Sequence, residues 1–382
     1  MPQHKYDAIV VGLGAVGAAT TYQLARRGVR VLGIDRFAPP HDKGSTHGGT
    51  RITRLAIGEG AHLTPIVMRS HEIWRDIERE TGEELLTQCG GLFISSPKKL
   101  AKTHVENFLE TTIAAAEKFG IAHERLDAAA IRARFPQFAM RDDEYGYYEP
   151  SAGFVRPEAC VAAQLELAEK DGAALYRGEI VQGCEVAADG VTVATDRGAY
   201  AADRVILAAG AWLPGLIDDK RASLFKVYRQ VQFWFEATSD FASGPVFIWE
   251  LPVGRLGIYG FPSLDGATMK VATERYDAPV SPDAVSREVS ADEIAAMQAL
   301  IAPYLPGVGA CVRASTCLYT VTPDYGFIVD PLDVGERVVM VSACSGHGFK
   351  HSAALGEALA ERATMGRSRL DLAPFRISRF AS

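Results

Sequence analysis

Residues 6–35 read YDAIVVGLGAVGAATTYQLARRGVRVLGID, and this stretch decides the fold. Residues 8–11 are an apolar, β-branched run of strand length that breaks at Gly12-x-Gly14-x-x-Gly17. The residues that follow run to Gly28, with Arg26 and Arg27 just before it. Cations complement the negative end of a helix dipole and glycine supplies a left-handed cap, so a helix is expected there. A second apolar strand, residues 29–34, leads into Asp35, about 20 positions after Gly12, the spacing at which an acid reaches the ribose of a bound dinucleotide. Gly12 suits a tight turn, Gly14 lets the backbone approach a pyrophosphate, and Gly17 lets the helix pack close to the strand. The pyrophosphate would sit on the unpaired N–H groups of the helix start. Strand, turn, helix, strand and acid in that order predict a dinucleotide site, with NAD and FAD both open at this point.

Working outward, 382 residues allow a sizeable core and favour two domains over one. With 48% hydrophobic and 23% charged residues the chain reads as an ordinary soluble globular protein. A net charge of −7 argues against nucleic acid as a partner. No apolar run approaches the roughly 18 residues of a membrane span, and the apolar N-terminal stretch carries the glycine fingerprint rather than an export signal. Cys89, Cys160, Cys184, Cys311, Cys317 and Cys344 show neither pairing nor metal-ligand spacing, so free thiols in the cytoplasm and no metal site are expected.

After Asp35, RFAPPHDKGSTHGGTRITRLAIGEG is too rich in glycine and proline for regular structure, yet it carries His47, Arg51 and Arg54, well placed to run under a cofactor. Thr64 and Pro65 read as a cap and first helical residue; Ile66, Ile73, Trp74 and Ile77 share one face of that helix, and Gly82 ends it. Short strands near 91–94 and a helix around 100–119 open a second domain. Residues 147–157 read as turn-rich, before a helix carrying Val161, Leu165 and Leu167. The apolar strand 204–213, with Gly210, is expected to return to the parallel sheet. Strands are expected at 191–195 and 231–235, a hairpin from 247–251 and 256–261, and a helix at 291–304 stopped by Pro306. Residues 338–342 then lead into a second glycine turn, Gly346-His347-Gly348, and a small-residue helix, whose N–H groups favour negative charge.

With these blocks in hand, the chain resembles the monomeric sarcosine oxidase and N-methyltryptophan oxidase family of FAD-dependent amine oxidases. The resemblance covers nearly the whole chain, and four blocks carry it. They are the fingerprint with PPHDKGSTHGGTRITRLAIGEG, YGFPSLDGATMK at 259–270, CLYTVTPDYGFIVD from Cys317, and SGHGFK at 345–350. The tail DLAPFRISRF is similar to the N-methyltryptophan oxidase branch. It implies an α/β fold: a Rossmann-like FAD-binding domain with a glutathione-reductase-like sheet, from 1–85, 147–215 and 321–382. A second α+β substrate domain would take 86–146 and 216–320.

The resemblance also implies roles. Cys317 matches the cysteine bonded through sulfur to FAD; read alone it is a buried small hydrophobe, and a nearby cation would be needed to make its thiolate reactive. Lys270 matches the lysine that lies over the flavin and is implicated in reaction with O2, where a fixed cation would stabilise an anion-forming electron transfer. Arg51 and His47 complete the expected catalytic set close to the flavin. Gly12, Gly14, Gly17, Asp35, Gly346, His347, Gly348 and Lys350 are expected on the cofactor. Arg54 and Lys350 match the pair that grips the substrate carboxylate, a planar fork and a compact charge, and Tyr259 and Tyr319 match pocket tyrosines.

One position departs from the family: sarcosine oxidases carry a histidine where this chain has Glu274, four residues beyond Lys270. An acid pointing into the pocket there would repel a substrate carboxylate but attract a cationic amine or a polar side chain, which weighs against sarcosine itself as the substrate. The segment ELPVGRLGIYG before Tyr259 is also longer than in sarcosine oxidases. The expected activity is oxidation of N-methyl amino acids to an aldehyde, the demethylated amine and hydrogen peroxide, by a monomer. The alternatives are cyclic secondary amino acids such as pipecolate or proline, or a dehydrogenase that passes electrons to a carrier protein.

Overall fold

A computed structural model describes residues 5–97, 105, 107–252 and 257–380. Its first sheet is built on five parallel strands in the order Ala174–Arg177, Val31–Asp35, Lys5–Val11, Ala199–Leu207, Val338–Ser342. Gly190–Thr195 and Val181–Ala187 extend it antiparallel from the first half of Ala199–Leu207, and Ile328–Pro331 pairs with Val338–Ser342. The late apolar strand thus lies parallel to Lys5–Val11, although it ends at Leu207 and Gly210 opens a 3-10 turn. Helices Ala15–Ala25, Thr64–Thr81, Pro157–Lys170 and Ser352–Met365 pack together in one core with Val10, Val31 and Ile206 of the sheet. Small residues let two of them approach: a Cβ on Gly356 would lie 2.4 Å from Ala19 Cβ.

Within this layer Ile66, Ile73, Trp74 and Ile77 are all buried. Thr64 is not the helix cap, however. A 3-10 turn, Ala61–Leu63, runs straight into the helix, so Leu63 takes the cap position and the Thr64 hydroxyl is buried without a partner.

The second sheet has eight strands, in the order Val308–Val321, Lys226–Ala237, Thr268–Thr273, Gly257–Gly260, Val246–Glu250, Gly91–Ser95, Tyr145–Glu149, Glu124–Asp127. Only the pairing of Val246–Glu250 with Gly91–Ser95 is parallel. Alternation along a strand sends successive side chains to opposite faces. Phe233, Phe235, Met269 and Val271 go into an apolar core with Trp249 and with Met297 of helix Ala291–Ile301. Gln232 and Lys270 hold alternate positions and are turned to the other face, where Lys270 meets Gly48 and Thr50 of the glycine-rich loop. This alternation aims the chemistry-bearing residues.

Two stretches expected to be irregular contain strands. Residues 147–157 begin inside Tyr145–Glu149, which pairs along its length with Gly91–Ser95, and also hold Gly153–Val155. That short strand pairs with Arg51–Thr53, inside the glycine-rich loop, and with Leu86–Thr87. Backbone pairing across distant segments outweighs local glycine and proline content in both. The helix expected around 100–119 is Phe108–Phe119, with Asn107 at its cap; residues 98–104 and 106 lie outside the described residues, as does the hairpin tip at 253–256.

Candidate active site

The carboxyl ends of four parallel strands open onto a cavity of 310 Å³, lined by Val11, Asp35, Ala208 and Ser342 among others. This is where parallel α/β sheets bind ligands. Gly12 has φ of +87°, and a Cβ there would lie 2.6 Å from Ala208 O. A Cβ on Gly17 would lie 1.7 Å from Gly12 O, so helix and turn touch backbone to backbone. Gly14 is different: a Cβ there would meet nothing nearer than Thr46 Oγ1 at 3.7 Å, and it lines the cavity. The glycines therefore fit a pyrophosphate cradle. Asp35 accepts hydrogen bonds from Leu13 N and Phe37 N, both at 2.7 Å. Burial raises its pKa while those two N–H groups lower it. The far end of the cavity carries Trp212, whose Nε1 donates to Asp283 Oδ1 at 2.8 Å, and Arg36, 3.1 Å from the same carboxylate. Neither Trp212 nor Asp283 was legible as a site residue in sequence.

A second cavity, of 710 Å³, shares Ala15, Ser45, Thr46, Ala343 and Cys344 with the first, so the two adjoin. Arg51, Arg54, Tyr259, Tyr319, Gly346, His347, Gly348 and Lys350, all expected as site residues, line it together. Cys344, which lines both cavities, accepts from Thr320 N at 3.4 Å.

Arg54 and Lys350 are buried and meet around one acid. Arg54 Nη2 donates to Glu59 Oε2, and Lys350 Nζ stands 3.9 Å from Glu59 Oε1 while donating to His347 O at 2.7 Å. Burial pushes Lys350 down to about 7, with Glu59 pulling the other way. Arg54 and, below about pH 7, Lys350 thus present positive charge beside Glu59. Glu59 was missed in sequence; its only signal was its place five residues after Arg54, within RLAIGEG. Behind Arg54, the buried Glu149 accepts from Leu55 N at 2.7 Å, Ala56 N at 3.2 Å, Tyr147 Oη at 2.9 Å and Ser151 Oγ at 2.8 Å. It fixes the backbone that follows Arg54.

Across the pocket Tyr259 Oη and Tyr319 Oη are 3.4 Å apart, and burial raises the pKa of both. Glu274 lines this side and accepts from Tyr276 Oη at 3.0 Å.

Lys270, Cys317 and His47 are buried next to the wall of this cavity rather than on it. Lys270 Nζ donates to Thr50 O at 2.7 Å, Gly48 O at 2.9 Å and Gln232 Oε1 at 3.3 Å. Burial and then Arg51 push its pKa well down. Three oxygen acceptors match the three N–H bonds of an ammonium, which favours the charged form. From the other side Glu158 accepts from Gly48 N and Gly49 N, so the loop before Arg51 is gripped twice. Arg51 itself donates to Thr50 O and Ser45 O, at 2.8 and 2.7 Å. The Cys317 thiol is pushed up by burial, and Arg51 is the leading influence that lowers it. Burial, then Arg51, push His47 down to about 4, so it is neutral at pH 7. All six cysteines are free.

Comparison with known proteins agrees with this geometry. The FAD dependent oxidoreductase family matches residues 7–362. The monomeric sarcosine oxidase of Streptomyces avermitilis is 36% identical over 386 residues, covering 99% of this chain and 98% of that one. The N-methyl-L-tryptophan oxidase of Shigella dysenteriae is 34% identical, covering 98% and 100%. Among solved structures, NikD, an unusual amino acid oxidase essential for nikkomycin biosynthesis, superposes in its open form with a TM-score of 0.84 at 27% identity, covering 98% of both chains.

Proposed function

We propose, from the premise that this chain belongs to the FAD-dependent oxidoreductases, that it is an oxidase of secondary amino acids, N-methyl amino acids foremost. The observation that carries this reading is the pair Arg54 and Lys350 around Glu59, in a cavity adjoining the glycine cradle. The guanidinium fork and the ammonium suit a carboxylate, and the facing tyrosines suit the apolar body of a small amine.

Gly12, Gly14, Gly17 and Asp35 would hold the nucleotide half of FAD, and Gly346, His347 and Gly348 its other end, with Cys317 as the tether through sulfur. When bound, the flavin supplies the chemistry that takes a hydride from the carbon beside nitrogen and returns the electrons to O2. The chain's own residues do the rest. Arg54 and Lys350 orient the substrate by its carboxylate, Tyr259 and Tyr319 flank it and limit water, and Lys270 and Arg51 supply fixed positive charge to the oxygen reaction. The products would be an aldehyde, the demethylated amino acid and hydrogen peroxide. On the same footing we read the protein as a cytoplasmic monomer; among the described residues no helix is long and apolar enough to cross a membrane.

Anaerobic titration of the FAD-bound protein with sarcosine, N-methyl-L-tryptophan, pipecolate, proline and dimethylglycine tests the reading. At least one N-methyl amino acid should bleach the flavin, and air should restore it with hydrogen peroxide formed. Bleaching by none of the panel would refute the function. In the same preparation, acid-denatured protein should stay yellow and Cys317→Ser should shed the colour; free flavin from the unaltered protein would remove the tether alone.

A further inference from the structure

A secondary amine enters from neutral water as an ammonium ion, with a pKa of about 10 like that of lysine. The carbon beside nitrogen gives up a hydride only when the nitrogen lone pair is free to form the new bond, so a proton has to leave first. The pocket therefore needs an acceptor, and most of its lining is unsuited to that task. Arginines do not accept protons. Burial raises the pKa of Tyr259, Tyr276 and Tyr319, which keeps them neutral phenols. Glu59 is already engaged by Arg54 and Lys350. Lys350 stands beside Glu59, and an incoming carboxylate would be a second anion keeping it charged. His347 donates from Nε2 to Tyr325 O at 2.9 Å and stacks on Phe327, with ring centres 4.7 Å apart, which leaves Nδ1 as its acceptor nitrogen, and that atom is buried away from the open pocket. Asp277 is exposed.

Glu274 is placed otherwise. It is half-buried on the wall, and Oε2 takes its hydrogen bond from a neutral donor, the Tyr276 hydroxyl at 3.0 Å. A Cβ on Gly346 would be 2.8 Å from Glu274 Oε1 and 3.1 Å from Tyr319 Cε2. Oε1 therefore lies against the glycine turn beside the Tyr319 ring. Among the titratable groups on which it acts are Tyr276 on its own segment, Tyr259 on the adjoining strand, Tyr319 and Tyr325, and Lys350 beyond the glycine turn. Arg51, Arg54 and the neighbouring Arg275 line the same cavity.

We propose that Glu274 receives the ammonium group of the substrate and takes its proton, while Arg54 and Lys350 hold the carboxylate. One N–H bond of the ammonium breaks and one O–H bond forms on Glu274; no electrons change hands, and the proton later passes to water at the pocket mouth. The substrate class is thereby narrowed to zwitterions presenting a carboxylate and a protonated amine together. This rests on the amine-oxidase reading and assigns one residue within it.

The test is the anaerobic rate of flavin reduction at saturating sarcosine and N-methyl-L-tryptophan, followed from about pH 7 to about pH 10 in the FAD-bound protein. Glu274→Gln, which keeps shape and hydrogen bonding, should be about a thousandfold slower than the parent near pH 7, the factor by which free amine is scarce there. It should then gain about tenfold per pH unit and meet the parent near pH 10, where free amine is supplied by solution. Glu274→Asp should keep the flatter profile of the parent. A Glu274→Gln protein as fast as the parent near pH 7, or slower by one constant factor at every pH, would overturn the assignment while leaving the amine-oxidase reading intact. Failure of the parent itself to reduce would strike that reading instead.

Discussion

The two ends of the paired cavities are built on different principles. The end proposed for the nucleotide is backbone: the carboxyl ends of parallel strands, three glycines and one acid whose carboxylate is itself tied to Leu13 N and Phe37 N. The end proposed for the amine is side chains: Arg54, Glu59, Tyr259, Glu274, Tyr319 and Lys350 arrive from segments far apart in the chain. Backbone recognition depends on dihedral angles and close approach, which glycine spacing encodes locally. Side-chain recognition depends on charges that balance only once the sheets have folded. A fault at the first end should therefore empty the site, whereas a fault at the second should shift specificity, stability or pH dependence.

The sharpest division lies within the glycine fingerprint. Gly17→Ala puts a methyl group 1.7 Å from Gly12 O, a collision of backbone with side chain that no rotamer relieves. Helix Ala15–Ala25 must retreat, so the purified protein should be colourless and less stable to heat. Gly14→Ala meets only Thr46 Oγ1, at 3.7 Å. It should fold like the parent and still lose FAD, because its methyl group would occupy the place of closest approach to the pyrophosphate. Flavin content and thermal unfolding of both variants separate the two effects; retention of FAD by Gly14→Ala would mean that the cradle is not where the cofactor binds.

The side-chain end has a weaker point, behind the clamp rather than in it. Glu149→Ala leaves Leu55 N, Ala56 N and the Tyr147 hydroxyl without their acceptor inside the protein. Urea unfolding should show a loss of about 3 kcal/mol, the cost of buried donors left unmade. Glu158 holds Gly48 N and Gly49 N in the same manner nearer the surface, where water can replace it, so Glu158→Ala should cost less. Equal losses would mean that depth is not what makes Glu149 matter.

This contrast also explains what could be read from the chain. Residues 6–35 disclosed the first end because a few covalent neighbours set its geometry. Arg54, Lys270, Cys317 and Lys350 were found through resemblance, since a lysine in TMKVAT carries no local mark of burial under Gly48 and Thr50. Only strand alternation, which sends Met269 and Val271 inward, hinted that Lys270 faces elsewhere. Glu59, Glu149 and Asp283 went unread because each acts as counter-charge or acceptor to a partner on another element, and an acid in a sequence looks like any solvated acid. The short strands Arg51–Thr53 and Gly153–Val155 were hidden for the same reason: each is stabilised by the other.

The mildest expected effect is one of pH. Burial lowers Lys350 to about 7 and Glu59 only partly restores it, so in the free protein its charge is present below that value and fades above it. A carboxylate ligand prefers the charged form and raises its pKa, which couples binding to uptake of one proton. Affinity for a thioether analogue of sarcosine, with sulfur in place of nitrogen, should therefore be constant below about pH 7 and weaken by up to about tenfold per pH unit above it. The methyl ester of the same analogue should show no such slope, and Lys350→Met should bind the acid weakly at every pH. Spectral titration of the bound flavin reads all three. A flat profile for the parent would place the proton-linked charge elsewhere and leave Arg54 as the main grip on the acid.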